Sequence, residues 1–141
     1  MEIVKCNKDD YATLAGIWKR SVKSSHDFLK EEHFEQIKAA LTTLYFPNVE
    51  LYAVVEQERF VGFIGLHGDM IEMLFIDSDL LGHGYGSALM DFAKHQGASK
   101  VDVNEQNPSA LHFYKAKGFH VVARDERDNS GLPYPILHLS L

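Results

Sequence analysis

The segment from Met70 to Gln96 constrains the fold most. It runs Met70-Ile71-Glu72-Met73-Leu74-Phe75-Ile76-Asp77, then a short connector to Leu81, then Gly82-His83-Gly84-Tyr85-Gly86-Ser87, then apolar residues at helical spacing. This order predicts a strand, a glycine-rich turn and a helix in immediate succession. Alternate glycines let the backbone approach a ligand closely and point successive N–H groups at one anion. The helix that starts there adds the positive end of its dipole. A phosphate or pyrophosphate suits such a turn. The pattern is not a P-loop, which ends in Gly-Lys-Ser/Thr, nor a dinucleotide fingerprint, since Ser87 stands where the third glycine belongs. Taken alone, the turn reads equally well as a tight connection without a ligand.

The rest of the chain surrounds this unit with short elements. Residues 2–6 predict a first strand, and Asn7 caps a helix carrying Tyr11, Leu14, Ala15, Trp18 and Val22 on one face. A second helix has Phe34, Ile37, Leu41 and Leu44 on one stripe, with Pro47 at its end. Leu51 to Glu56 and Phe60 to His67 form a hairpin about Gln57-Glu58, and a turn at Gly68 leads into Met70, giving an antiparallel meander. The helix after the glycines presents Tyr85, Ala88, Leu89, Phe92 and Ala93, and stops at Gly97. A fifth strand covers Lys100 to Val103. Asn107 and Pro108 open a last helix with an apolar face of Ala110, Leu111, Phe113 and Tyr114, ending at Gly118. His120 to Arg124 and Ile136 to Leu141 are the final strands, the last a candidate for pairing across a dimer. The expectation is one α/β domain over residues 1–141.

Charge and cysteine usage exclude several classes. The net charge is −6 and no long basic run exists, which argues against a nucleic-acid partner. Cys6 is the only cysteine, so no intrachain disulfide forms, and no Cys/His metal spacing occurs. No apolar run approaches the ~20 residues of a membrane span, and no basic flank precedes an apolar run at the N-terminus. A cytoplasmic protein without metal or membrane attachment is expected.

Two motifs then stand in order: Leu74-Phe75-Ile76-Asp77 leading into Gly82-x-Gly84-x-Gly86, and Asn107-x-x-Ala110-x-x-Phe113-Tyr114-x-x-x-Gly118-Phe119. Together they resemble the GNAT superfamily of acetyl-CoA-dependent N-acetyltransferases. Ser25 to Leu29, Val103 to Asn107 and Gly131 to Pro135 are similar to a bacterial subgroup of small acetyltransferases within it. The resemblance implies an α/β fold with a mixed, mostly antiparallel sheet of about seven strands and about four helices, open between strands four and five. It implies acetyl-CoA as co-substrate. The strand Leu74-Phe75-Ile76 would bond the pantetheine arm through the backbone at Leu74 and Ile76. Amides around Leu81, Gly82, His83, Gly84, Gly86 and Ser87 would hold the pyrophosphate. Asn107 and Ala110 would line the cofactor, with Tyr114 near the thioester sulfur. The chain departs from the family pattern at Leu81, where Arg or Gln is usual. His83 and Lys117 are the candidate replacement cations.

Amine acetylation needs a neutral amine, a polarised carbonyl and a proton for the departing thiolate. A phenol suits the last task, its reference pKa of about 10 lying near the thiol's of about 8.5. Tyr114 is the candidate acid; the alternative is a core tyrosine. Glu72 shares strand parity with Leu74 and Ile76 and is the candidate base. A solvated glutamate, with a water chain as base, is the alternative. A backbone N–H near Ile76 would meet the oxyanion. His26 and Phe28, in the connector that covers the acceptor site in the family, together with Glu72, Asn104 and Tyr134, are candidate acceptor contacts. The expected reaction is acetyl transfer from acetyl-CoA to a primary amine of a small molecule or peptide, by direct attack in a ternary complex, in a monomer or homodimer. The alternative is a non-catalytic acyl-CoA-binding or sensor module of the same fold.

Overall fold

The computed structural model describes residues 1–25 and 28–141; His26, a candidate acceptor contact, lies outside the described residues, as does Asp27. Among the described residues four α-helices and seven strands follow in the order β1 (Glu2–Lys5), α1 (Tyr11–Ser25), α2 (Glu31–Ala40), β2 (Glu50–Glu56), β3 (Arg59–His67), β4 (Met70–Ile76), α3 (Tyr85–His95), β5 (Lys100–Asn104), α4 (Pro108–Ala116), β6 (His120–Asp125) and β7 (Ile136–Ser140). They build one sheet in the order β1-β2-β3-β4-β5-β7-β6. Every pairing is antiparallel except β4 with β5. This is the mixed, mostly antiparallel sheet that the motifs imply.

Local chemistry sets the ends of the elements. The Asn7 side chain accepts from Asp9 N–H while Asp10 accepts from Asn7 N–H, a reciprocal cap that starts the turn leading into α1. Leu14, Ile17, Trp18 and Val22 then fall on one buried stripe. The Trp18 ring stacks on Phe34 of α2 with centroids 5.1 Å apart. This layer covers one face of the sheet, against Ala53 and Phe63, while α3 and α4 cover the other against Val54, Ile64 and Val101. Among the described residues no helix is long and apolar enough to cross a membrane.

The second helix departs from its expected stripe. It ends at Ala40, and Leu41–Tyr45 continue as a π-helical turn. The wider turn rotates later side chains, so Leu41 stays buried, Leu44 is exposed, and Phe46 enters the core instead. The final strand also differs from expectation. It lies between β5 and β6, so both of its edges are occupied and it cannot pair across a dimer; the sheet edges are β1 and β6.

Gln57 and Glu58 form the two-residue turn of the first hairpin, with φ of 51° and 63°. Turns with both residues left-handed favour Asn-Gly, because a side chain there is strained. Glu58→Gly is expected to raise the unfolding free energy by about 0.5–1 kcal/mol in a urea titration.

Candidate active site

The parallel ladder between β4 and β5 holds two residue pairs, Met70 with Lys100 and Ile71 with Val101. Beyond them β4 is bulged. Leu66 of β3 faces Ile71 and Gly65 faces Met73, which leaves Glu72 unpaired. An extra residue bends its strand and increases the local twist. From this point β4 and β5 part, and a cleft of about 900 Å³ opens, lined by Leu74 to Ile76 on one side and by Asp102 to Asn104 on the other.

On the β4 bank the cleft is lined by the glycine turn. Gly82 and Gly84 have φ of 83° and 82°, a region where other residues are strained. Gly84 opens α3 with no side-chain cap. The first intrahelical bond runs from Ala88 N–H to Gly84 C=O at 3.0 Å. The amides of Tyr85, Gly86 and Ser87 precede it, and all three residues line the cleft, as do Leu81, Gly82 and Gly84. Gly86 is helical, and a methyl group there would meet the Phe113 ring at 3.5 Å, an ordinary contact. Its glycine is therefore not demanded by the fold.

Leu81 is 61% exposed. His83 stacks on Tyr85 at 6.0 Å, and the Lys117 ammonium lies over the Phe113 ring at 5.8 Å. Neither lines the cleft, and among the described residues no lysine or arginine does.

The turn is anchored by a residue whose role sequence reasoning missed. Asp77 follows β4 and is 1% exposed. Its carboxylate accepts from Arg20 Nε and Nη2, both at 2.8 Å, from Arg59 Nη2 at 3.2 Å and from Ser78 N–H at 3.0 Å. Arg20, first, and Arg59 hold its carboxyl below the usual range, outweighing the opposing effect of burial. One side chain thus joins α1, β3 and the start of the glycine turn. The sequence signal was an acid between an apolar strand and a serine.

On the opposite bank, after β5, stands α4. The Asn107 side chain accepts from Ala110 N–H at 3.2 Å, so it caps the helix while lining the cleft with Ala110. Tyr114, one turn further, is 7% exposed and packs between Phe113 and Phe119. Its hydroxyl has no hydrogen-bond partner among the described residues, yet it is not sealed from the cleft that it lines. Burial pushes its pKa well above the ordinary phenol value. The close match of pKa values expected from reference compounds does not hold for the phenol.

The acceptor candidates divide. Glu72 and Asn104 line the cleft, and Asn104 accepts from Gln106 N–H at 3.0 Å. The bulge breaks the parity by which Glu72 was placed: Ile71 belongs to the same core as Leu74 and Ile76, and Glu72 sits at the step between them. It lines a second cavity too, of about 530 Å³, which shares Glu72, Met73 and Phe75 with the first and runs under Trp18, Ile37 and Leu41. Tyr134 lines neither cavity. It is buried, accepts from Lys30 N–H at 3.3 Å, hydrogen-bonds His33 Nδ1 and packs against Phe28 at 6.0 Å, fastening the loop before β7 to the start of α2. His33, a scattered histidine in the sequence, had no pattern to reveal it. Cys6 lies in the core, where burial, assisted by Asp10, pushes its thiol up to about 12.

Comparison with known proteins agrees with this geometry. Residues 15–137 match the model of the acetyltransferase (GNAT) domain. The chain is 38% identical to the peptidyl-lysine N-acetyltransferase YjaB of Salmonella typhimurium, over 99% of this chain and 97% of the relative. The solution structure of apo-form YjaB from Escherichia coli superposes with a TM-score of 0.90 at 37% identity, covering 99% of this chain and 95% of that one. The PaiA N-acetyltransferase of Thermoplasma acidophilum, solved in complex with coenzyme A, shares the fold with a TM-score of 0.73 at 18% identity, covering 99% and 98%. The chain belongs to the GNAT acetyltransferase family.

Proposed function

We propose that the chain transfers an acetyl group from acetyl-CoA to the ε-amine of a lysine in a peptide or protein. One observation carries this reading. The cleft between the parted strands is lined both by the unbonded amides of a helix start and by a buried, unpartnered phenol. The first suits a pyrophosphate and the second a departing thiolate. The similarity to a peptidyl-lysine N-acetyltransferase supports lysine as acceptor.

In this reading the open backbone of Leu74 to Ile76 runs beside the pantetheine arm and supplies an N–H to the thioester oxygen. The neutral amine attacks the carbonyl carbon. Glu72, directly or through water, accepts the proton that the amine gives up. Tyr114 donates its proton to the thiolate as the C–S bond breaks. With no lysine or arginine along the cleft among the described residues, backbone amides carry most of the anion binding.

Calorimetric titration with acetyl-CoA and steady-state release of CoA with lysyl peptides test the proposal. Binding at one site and release of CoA support it. Binding without release with any amine favours the sensor module. Gly86→Ala is expected to keep the fold, because its methyl group meets only ordinary contacts. It should weaken acetyl-CoA about tenfold or more by holding the phosphate away from the amides.

A further inference from the structure

A row of three side chains crosses β5, β7 and β6 and has no part in the reaction above. The sheet register sets Asp102 opposite His138. His138 Nδ1 lies 2.6 Å from Asp102 Oδ1, and its Nε2 lies 2.6 Å from Asp125 Oδ2. A ring with a carboxylate at each nitrogen is held as imidazolium, donating at both. Asp125 first, then Asp102, raises the His138 pKa above its ordinary value. Neither nitrogen is left for a metal, and among the described residues no metal-holding group occurs.

The row runs from solvent to the cleft. The Asp125 side chain is 70% exposed, while those of Asp102 and His138 are 29% exposed. Asp102 lines the cleft, and its Oδ2 has no protein partner among the described residues. In the parallel register Asp102 is the first residue of β5 beyond the last pair with β4, as Glu72 is the first of β4. The same cleft holds the unpartnered, nearly buried Tyr114 hydroxyl. Two carboxylates therefore stand where the strands part, and only Asp102 is fixed from behind.

We propose that Asp102 binds the ammonium group of the acceptor, and that His138, itself held by Asp125, is the positioning residue that fixes Asp102 for it. This rests on the transferase reading. A lysine arrives protonated, its reference pKa being about 10.4. A fixed anion offsets its desolvation, and a carboxylate that is already ordered loses little freedom on binding. Asp125 matters because an imidazolium alone would cancel the charge of Asp102; with two carboxylates the row keeps a net charge of −1. Asp102 takes no proton in this scheme: the ammonium gives up one to water before the attack, and the proton that the attacking nitrogen then sheds passes to Glu72, directly or through water. The acceptor class this selects is a primary ammonium.

The test compares wild type, Asp102→Asn, Asp102→Glu and His138→Gln in the full chain. Steady-state kinetics use a lysyl peptide. Binding is measured for the corresponding acetyl-lysyl peptide, which is neutral, in the presence of CoA. Asp102→Asn should raise the KM for the lysyl peptide about tenfold or more, as loss of a charge-assisted bond does. The KM for acetyl-CoA and the affinity for the neutral peptide should hold. His138→Gln should show the same pattern more weakly, and Asp102→Glu should recover part of the loss. An unchanged lysyl-peptide KM in Asp102→Asn overturns the proposal, as does equal weakening of charged and neutral peptides. Should Asp102→Asn lose its fold, an unchanged KM in His138→Gln overturns it equally. A wild type that releases no CoA with any lysyl peptide sinks the transferase reading and this inference with it; turnover with an unchanged variant sinks the inference alone.

Discussion

Tyr114→Phe is expected to lower turnover by about 10²- to 10⁴-fold, the range for a lost general acid, with acetyl-CoA affinity nearly unchanged. The ring keeps its neighbours, Phe113 at 5.3 Å and Phe119 at 5.8 Å. The hydroxyl leaves no orphaned protein group behind, because none bonds to it among the described residues. Stability should therefore stay within about 0.5 kcal/mol of wild type. Because burial raises its pKa, the phenol stays protonated well past neutrality. Any alkaline fall in rate must then come from another group, and should persist in whatever activity the variant retains. Equal turnover in single-turnover measurements would remove Tyr114 as the acid.

The second large effect falls on stability. Asp77→Ala should cost about 3 kcal/mol in urea unfolding, near the lower end for breaking a buried ion pair, because both arginines can turn to water. Acetyl-CoA binding should weaken with it, since Ser78 and the turn beyond lose their anchor. The pH dependence has a definite sign. The folded pKa of Asp77 is depressed, so its contribution is complete above the ordinary carboxylate pKa of about 3.9 and fades as pH falls through the folded value. Acid unfolding should be correspondingly less steep in the variant. His138 runs the other way. Its folded pKa is raised, so its contribution is complete below about 6.5 and fades as pH rises through the raised value. A loss under 1 kcal/mol for Asp77→Ala would show that the arginine pair is no more than surface decoration.

The elements that were legible had local causes. Asn7, Pro108, Gly97 and Gly118 mark their helix ends through capping or left-handed geometry, and these act within a few residues. The cleft was placed by motif resemblance rather than by periodicity. What stayed hidden depends on pairing between distant segments. The bulge at Glu72 exists only against Gly65 and Leu66, so strand parity does not carry through that residue. The π-turn after Ala40 rotates Leu44 outward, which a fixed 3.6-residue period cannot foresee. Asp77 meets Arg20 from 57 residues away, and His138 meets Asp102 from 36. The alternation of Asp102 with Val101 and Val103, and of His138 with Leu137 and Leu139, was readable. The register that joins them was not.

The two-pair ladder between β4 and β5 also has a mechanical meaning. Along most of its length the sheet is sewn by ladders of four or more pairs, but here it has a seam of two. A molecule lying in the gap touches both banks, so part of its binding free energy becomes resistance to tearing along that seam. The sheet is left unfinished, and a ligand bound there would act as the missing stitch.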